Sequence, residues 1–280
     1  MNRFAARLLT LFAALAVLLP AGAPTAAQAP YRILLTNDDG VRAPGIAAMA
    51  QALSGLGEVT IIAPTENHSG TGHAITLSDP IYVERAEVAG KQATGLSATP
   101  ATCVRLAIAN LLPQRPDLVV SGVNRGSNFG LNGYISGTVA AAREAAMQGI
   151  PAIATSLDIT GHPNYGPAAA ATAKVVEIVK QGGLPKGVFL NVNAPAGTEL
   201  KGLRLATQSN QMGTERFDEA RTPYGRRLFW SFFQQPTTAE PGSDVQAALD
   251  GYVAVTPLRA SEFDDKSYEA LKGRFAGDGK

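Results

Sequence analysis

The stretch ILLTNDDGVRAPGI, residues 33–46, decides how the rest of the chain is read. An apolar run, Ile33 to Leu35, stops at Asn37, and two adjacent acids, Asp38 and Asp39, follow with Gly40 behind them. Pro44 then opens an apolar-periodic segment that closes at Gly57, the pattern of a helix with a proline start and a glycine stop. The run is a short buried strand, so the two acids fall at its carboxyl end. A core strand gains nothing from ending in two like charges. The bland account of Asn-Asp-Asp-Gly is a polar turn with a helix cap; the functional account is half of a cation site.

Downstream segments repeat the alternation. EVTIIAP (58–64) is a second strand, and TENHSGTGHAITLS (65–78) is a polar loop rich in Gly and Ser. PIYVERAEVAGKQATGLSATP (80–100) reads as a mostly β excursion and TCVRLAIANLLPQR (102–115) as helical. Strand PDLVVSGVN (116–124) leads into a second loop, RGSNFGLNGYISG (125–137). A helix (138–149), a strand (151–157), a helix (166–183) and a strand (187–195) follow. Strands alternating with helices of about a dozen residues predict an α/β fold, a mostly parallel sheet with helices on both faces.

Beyond about residue 200 the character changes. RRLFWSFF (226–233) and ALDGYVAVTPL (248–258) are two β-like runs separated by turn-rich sequence, which predicts a long β-hairpin over about 224–256. Phe229, Trp230, Phe232 and Phe233 crowd one arm, which either packs on its own core or forms an oligomer interface. The last twenty residues read as helical and then frayed.

The 280 residues, 45% of them hydrophobic, suffice for one large α/β domain or two small ones. The first 27 are set aside. Arg3 and Arg7 precede the 12-residue apolar run Leu8–Leu19, and Pro20 and the small residues Thr25 and Ala27 follow. This is the layout of a secretory signal peptide, with cleavage expected after Ala27. The run is too short for a membrane span, which needs about 20 apolar residues. The expected organisation is a signal peptide at 1–27, one domain at 28–280, export to a bacterial periplasm, and no membrane anchor after cleavage.

Removing residues 1–27 takes away two arginines and no acids, leaving 22 basic against 23 acidic residues. That balance gives no general attraction to a nucleic acid duplex or an anionic membrane. The single cysteine, Cys103, excludes an intramolecular disulfide and reads as a small core residue.

Ligands of open parallel sheets bind outside the carboxyl ends of the strands. Three such ends carry the unusual residues: Asn37, Asp38, Asp39 and Gly40; then Asn67, His68, Ser69 and Gly70; then Asn124, Arg125, Gly126, Ser127 and Asn128. Adjacent carboxylates repel, and without a cation one of them tends to keep its proton. The donors on offer are carboxylate, hydroxyl and amide oxygens, a hard set suited to Mg²⁺, Mn²⁺ or Ca²⁺ rather than zinc. The glycine-rich second loop ends at Ser136, Gly137 and Thr138, a helix start whose N–H groups suit an anion. A cation loop beside an anion loop makes a phosphate ester the economical substrate.

The motifs at 33–46, APTENHSG (63–70), PDLVVSGVNRGSN (116–128), ISGTVAAARE (135–144), PAIATSL (151–157), LNVNAP (190–195) and GYVAVTPL (251–258) resemble, in order, those of the survival protein SurE family of 5′/3′-nucleotidases and acid phosphatases. The resemblance implies a Rossmann-type three-layer α/β/α core with a C-terminal β-hairpin extension exchanged within a homodimer or tetramer. It implies one divalent ion per subunit, Mg²⁺ or Mn²⁺, and release of phosphate from nucleoside monophosphates. Carried over by motif, the metal ligands are Asp38, Asp39, Ser69 and Asn124, with Asp38 and Asp39 also catalytic. Asn37, Gly40, Asn128, Ser136, Gly137 and Thr138 fall on the phosphate-binding positions. The chain departs from the pattern at Glu66 and His68, at Leu131 and Asn132, and at Thr102, none of them a ligand position; these bear on substrate preference.

His73 and Arg125 are accessory candidates. His73 is placed either to protonate a leaving alcohol or to pair with a carboxylate, and Arg125 either to bind phosphate or to remain solvated. Arg143 and Glu144 read as structural ion-pairing groups. Two rivals to metal-activated water attack stay open: a covalent aspartyl-phosphate, and a periplasmic binding protein that holds an anionic ligand without turnover.

Overall fold

Strand β1 (Arg32–Thr36) sends Ile33 and Leu35 into one apolar cluster and Leu34 into another, as a strand covered on both faces must. The computed structural model describes residues 29–159 and 162–275; the expected signal peptide lies outside them. After β1 come α1 (Pro44–Ala52) and β2 (Glu58–Pro64), and the β excursion forms the pair β3 (Val83–Val88) and β4 (Lys91–Leu96). Next are α2 (Pro100–Leu106), β5 (Leu118–Arg125), α3 (Gly137–Met147), β6 (Ala152–Leu157), α4 (Tyr165–Gly182) and β7 (Val188–Ala194). The chain continues through β8 (Leu203–Leu205), β9 (Thr214–Arg221), β10 (Arg227–Gln234), α5 (Asp244–Leu249), β11 (Val253–Arg259) and α6 (Asp265–Phe275).

Nine strands make one sheet in the order β3-β4-β2-β1-β5-β6-β7-β11-β8. The six from β4 to β7 in that order run parallel; β3 is antiparallel to β4, and β11 is antiparallel to β7 and parallel to β8. Helices α1 and α4 cover one face, burying Ile46, Met49, Leu53, Val175 and Val176 against Ile33, Leu35, Val120 and Ile153. Helices α2 and α3 cover the other, burying Cys103, Val104, Val139 and Ala142 against Leu34, Val119, Ala154 and Phe189. The three-layer α/β/α core, mostly parallel, matches the expectation, and Cys103 sits within it.

The hairpin differs from its expected boundaries of about 224–256. RRLFWSFF forms β10, but its partner is the preceding segment β9, with Trp230 opposite Asp218 and Phe232 opposite Arg216. The other expected arm joins the main sheet instead: β11 pairs with β7, Val255 opposite Val192. The reason is burial. Val253 and Val255 sit in the main core from that position, a gain unavailable on an exposed ribbon. Segment β9, TERFDEAR, carries too many charges to read as a strand in advance, and it is exposed along almost its whole length.

Helix α1 lies close enough to β5 that a Cβ at Gly45 would stand 1.9 Å from the Val123 carbonyl oxygen. Gly45→Ala is therefore expected to cost about 3 kcal/mol, the upper end for overpacking a core. Gly182→Ala, where an added Cβ meets nothing within 4 Å, is the control and leaves stability unchanged or slightly raised. Urea denaturation with matched slopes measures both.

Candidate functional site

Strands β2, β1 and β5 are parallel neighbours, so their carboxyl ends open on one edge of the sheet. The first loop is pinned within itself by the Asn37 side-chain amide, which donates to the Gly40 carbonyl at 2.9 Å. It is pinned to the second by two backbone bonds, Val41 N–H to the Pro64 carbonyl (2.7 Å) and His68 N–H to the Asp38 carbonyl (2.8 Å). Ser69 follows His68 directly. Its N–H donates to Asn67 Oδ1 at 2.7 Å, and the residue is exposed.

The third loop is redirected by a bulge. The β5–β6 register shifts between Ser121 and Asn124. Gly122 holds the bulge at φ +133°, with room for no side chain, since a Cβ would lie 2.3 Å from the Thr155 carbonyl oxygen. Beyond the bulge the Arg125 N–H donates to Asp39 Oδ2 at 3.0 Å. Asn124 donates its amide to the Gly126 carbonyl at 2.7 Å, while its Oδ1 is buried and has no partner among the described residues. A buried amide oxygen left over in this way is costly unless something fills it.

Helix α3 completes the rim. Ser136 caps it, its Oγ accepting from Val139 N–H at 3.1 Å. The N–H groups of Gly137 and Thr138, in the first turn, have no intrahelical partner. Gly137 touches Asp38: an added Cβ would fall 2.8 Å from the Asp38 Cβ. Thr138 donates its hydroxyl to Asp38 Oδ1. Ser136 and Thr138, read from the sequence as phosphate contacts, therefore also carry the jobs of capping the helix and of gripping a carboxylate.

Burial pushes the Asp38 carboxyl up to about 6, the Thr138 bond opposing and the Asp39 charge adding to the shift. Burial also raises Asp39, against the Arg125 N–H and guanidinium. Both acids are thus poorly compensated by the protein alone. Among the described residues no group of three or more His, Cys, Asp or Glu side chains gathers, so a cation here would complete its shell with neutral oxygens. Two carboxylates, the orphaned Asn124 Oδ1 and the adjacent Ser69 loop fit a hard divalent cation.

Asn128 is engaged with the sheet. Its N–H donates to Asn193 Oδ1 (2.7 Å), its side-chain amide to Ser156 Oγ (2.7 Å), and its carbonyl accepts from Asn191 (2.9 Å). His73 lies against a carboxylate, its Nε2 2.9 Å from Glu144 Oε2. Glu144 also accepts from Arg105 Nε (2.8 Å) and Gln148 (3.0 Å). Burial alone would raise this carboxyl; the bonds hold it down at about 2. Arg143 makes no such pair among the described residues, and its guanidinium lies over the rings of Tyr134 and Phe189.

Sequence reasoning missed the supporting residues Asn191, Asn193 and Ser156, as well as Tyr165, whose phenol is raised by burial and by the nearby Asp39. The available signal was LNVNAP itself, where two asparagines recur at spacing two in an apolar strand and so share one face.

The model of the family described as survival protein SurE matches residues 33–215. The 5′-nucleotidase SurE of Syntrophotalea carbinolica is 42% identical over 242 residues, covering 85% of this chain and 95% of that protein. That of Geobacter sulfurreducens is 45% identical over 230 residues, covering 81% and 87%. The crystal structure of the SurE protein from Aquifex aeolicus superposes with a TM-score of 0.75 at 36% identity, covering 87% of this chain and 99% of its own.

The Asp38 carboxyl predicts a pH dependence. Its value of about 6 exceeds the ordinary 3.8, so between those values the folded, cation-free protein keeps a proton that the unfolded chain has released. Stability is then full below about pH 4 and falls as pH rises through about 6, by up to about 3 kcal/mol. Chelator-treated Asp38→Asn is expected to lose that slope relative to wild type. Equal slopes in urea titrations from pH 4 to 7 would contradict it.

Proposed function

The chain belongs to the survival protein SurE family, and from that membership and the rim just described we propose that it is a divalent-cation-dependent 5′/3′-nucleotidase, releasing phosphate from nucleoside monophosphates. One observation carries the reading: two adjacent, half-compensated carboxylates face the same edge as an amide oxygen with no partner. Its relatives in Syntrophotalea carbinolica and Geobacter sulfurreducens are named 5′-nucleotidases, which favours turnover over the binding-protein alternative.

In this reading Asp38, Asp39, Ser69 and Asn124 hold the ion, Mg²⁺ or Mn²⁺. When bound, the ion lowers the pKa of an attacking water and offsets the charge of the phosphoryl oxygens. The protein groups do the positioning. Thr138 fixes one oxygen of Asp38 and the Arg125 N–H one oxygen of Asp39, so each carboxylate is oriented and retains an oxygen outside those bonds. Asp38 or Asp39 orients the water and receives its proton. The Gly137 and Thr138 N–H groups, at the positive end of α3, receive the phosphate. His73 acts through Glu144 as a brace, in keeping with their 2.9 Å contact.

Two features outside the rim extend the proposal. The exposed aromatic ribbon of β9 and β10, with Phe217, Phe229 and Phe233 on one face and Trp230 and Phe232 on the other, is covered by a second copy in a homodimer or tetramer. The leader at residues 1–27 directs the mature protein to the periplasm, where a processed N-terminus at Gln28 is expected.

Phosphate release from AMP is expected with Mn²⁺ or Mg²⁺, to vanish on chelation, and to fall by roughly a thousand-fold or more in Asp38→Asn and Asp39→Asn, a loss of the size seen when a group that stabilises transition-state charge is removed. Full activity in both variants sinks the assignment, and phosphate trapped covalently on the protein would favour the aspartyl-phosphate route. For the assembly, sedimentation of wild type against Trp230→Arg/Phe232→Glu should show a multimer falling to a monomer; a wild-type monomer rules the interface out.

A further inference from the structure

The loop between β5 and α3 is held from outside by residues that flank the β9–β10 hairpin. Asp244, the first residue of α5 and fully buried, accepts the Gly130 N–H on Oδ2 at 2.8 Å. Its Oδ1 accepts the N–H of Ser209 at 3.1 Å and that of Val245 at 2.9 Å. From the same root, Gln208 donates to the Gly130 carbonyl (2.8 Å), and the Gln211 carbonyl accepts the Leu131 N–H (3.0 Å). Gly213 N–H reaches Asn132 Oδ1 (3.2 Å), and Gln235, just after the returning strand, reaches the Ser127 carbonyl with its side-chain amide (3.3 Å). Gly130 fits this contact only as glycine: a Cβ would meet the Gln211 carbonyl oxygen at 2.5 Å, and its φ is +52°.

We propose that Asp244 is a positioning residue for phosphate binding, fixing the loop at 126–132 to the root of the hairpin so that the loop keeps its binding shape only while that root is docked. The proposal rests on the phosphomonoesterase reading. Its chemistry is specific to a carboxylate. Three N–H donors converge on two oxygens, and only an acceptor at both positions satisfies them. An amide keeps one acceptor. With its oxygen toward Ser209 and Val245, which together offer two bonds, its NH₂ faces the Gly130 N–H. Asp244→Asn thus releases the loop and spares α5. The loop begins just beyond Asn124 and ends before Ser136, so its displacement reaches the phosphate side of the rim while Asp38 and Asp39 keep their own bonds to Thr138 and Arg125.

The test compares wild type with Asp244→Asn in AMP hydrolysis at saturating Mn²⁺, with inorganic phosphate as competitive inhibitor. The inhibition constant for phosphate and KM are expected to rise about ten-fold, the loss of one charge-assisted bond. The Mn²⁺ half-saturation is expected to change less than about two-fold, since Asp38, Asp39 and Ser69 lie outside the loop and the Asn124 bond to the Gly126 carbonyl lies at its start, away from Gly130. An unchanged phosphate constant, or Mn²⁺ affinity lost in step with it, overturns the proposal. Gln208→Ala, which removes the second bond to Gly130, should shift the phosphate constant in the same direction and decides the matter if Asp244→Asn does not fold. A wild-type protein that neither hydrolyses AMP nor binds phosphate overturns the phosphomonoesterase reading as well; wild-type activity with unaltered variant constants overturns this proposal alone.

Discussion

The burial of Asp38 against the first turn of α3 is the contact on which the rim depends. A carboxylate at the end of an interior strand has to be gripped or neutralised, because a lone charge in low dielectric is far costlier than a hydrogen-bonded one. Here α3 arrives so close that position 137 has no room for a side chain, and the next residue lends a hydroxyl to the acid. That contact sets the height of α3 on the sheet. It also carries the first-turn N–H groups of α3, which have no partner within the helix, to the edge where the three loops meet. The bulge in β5 is the second half of the same arrangement, since it brings the Arg125 N–H to Asp39.

Helix α3 meets two buried carboxylates, and the protein treats them in opposite ways. Glu144 is surrounded by Arg105, His73 and Gln148 and held at about 2, so it is ionised throughout the physiological range. Its charge is consumed locally, joining α3 to α2 and to the second loop. Asp38 has one hydroxyl and a neighbour of like charge, and stands at about 6. A fold built only for stability would compensate both. A carboxyl raised by burial beside a second acid at a strand end is a candidate for a functional site. The contrast across one helix is what marks Asp38, rather than Glu144, as the candidate site acid.

Much of this was legible in the sequence because the signals were local. The run Ile33–Leu35 announced a strand covered on both faces, and Asp38, Asp39, Ser69 and Asn124 each followed an apolar run, so parallel pairing alone brings their loops to one edge. Cys103 read correctly as core because its segment was apolar at helical spacing. What failed was long-range or exposed. TERFDEAR has no apolar alternation, so β9 was invisible, and β11 was assigned to the hairpin because a short apolar strand does not say which edge it joins. The brace at Asp244 escaped for a related reason: it lies 114 residues from Gly130, and a lone Asp after Ser243 reads as an ordinary helix start. The structure shows Ser243 as the cap, its Oγ accepting from Gln246 N–H at 3.2 Å, which leaves Asp244 free for the loop.

The hairpin poses the remaining physical question of what keeps it in shape. A two-stranded ribbon is marginal in water on its own, and β9 and β10 bury almost nothing against their own chain. The bidentate Arg227–Glu219 pair is exposed and contributes at most about 1 kcal/mol. Arginines 216 and 227 shield only the nearby faces of Phe232 and Phe229. The ribbon is therefore fastened at its root, where Phe233 crowds Gly213 so closely that a Cβ would overlap the ring, and left bare along its length. A bare aromatic ribbon with a rigid root is economical if a second surface covers it. Because that root is the segment bonded to the loop at 126–132, whatever covers the ribbon also bears on the loop. The same bonds that order the root of the hairpin thus also order the loop beside the rim.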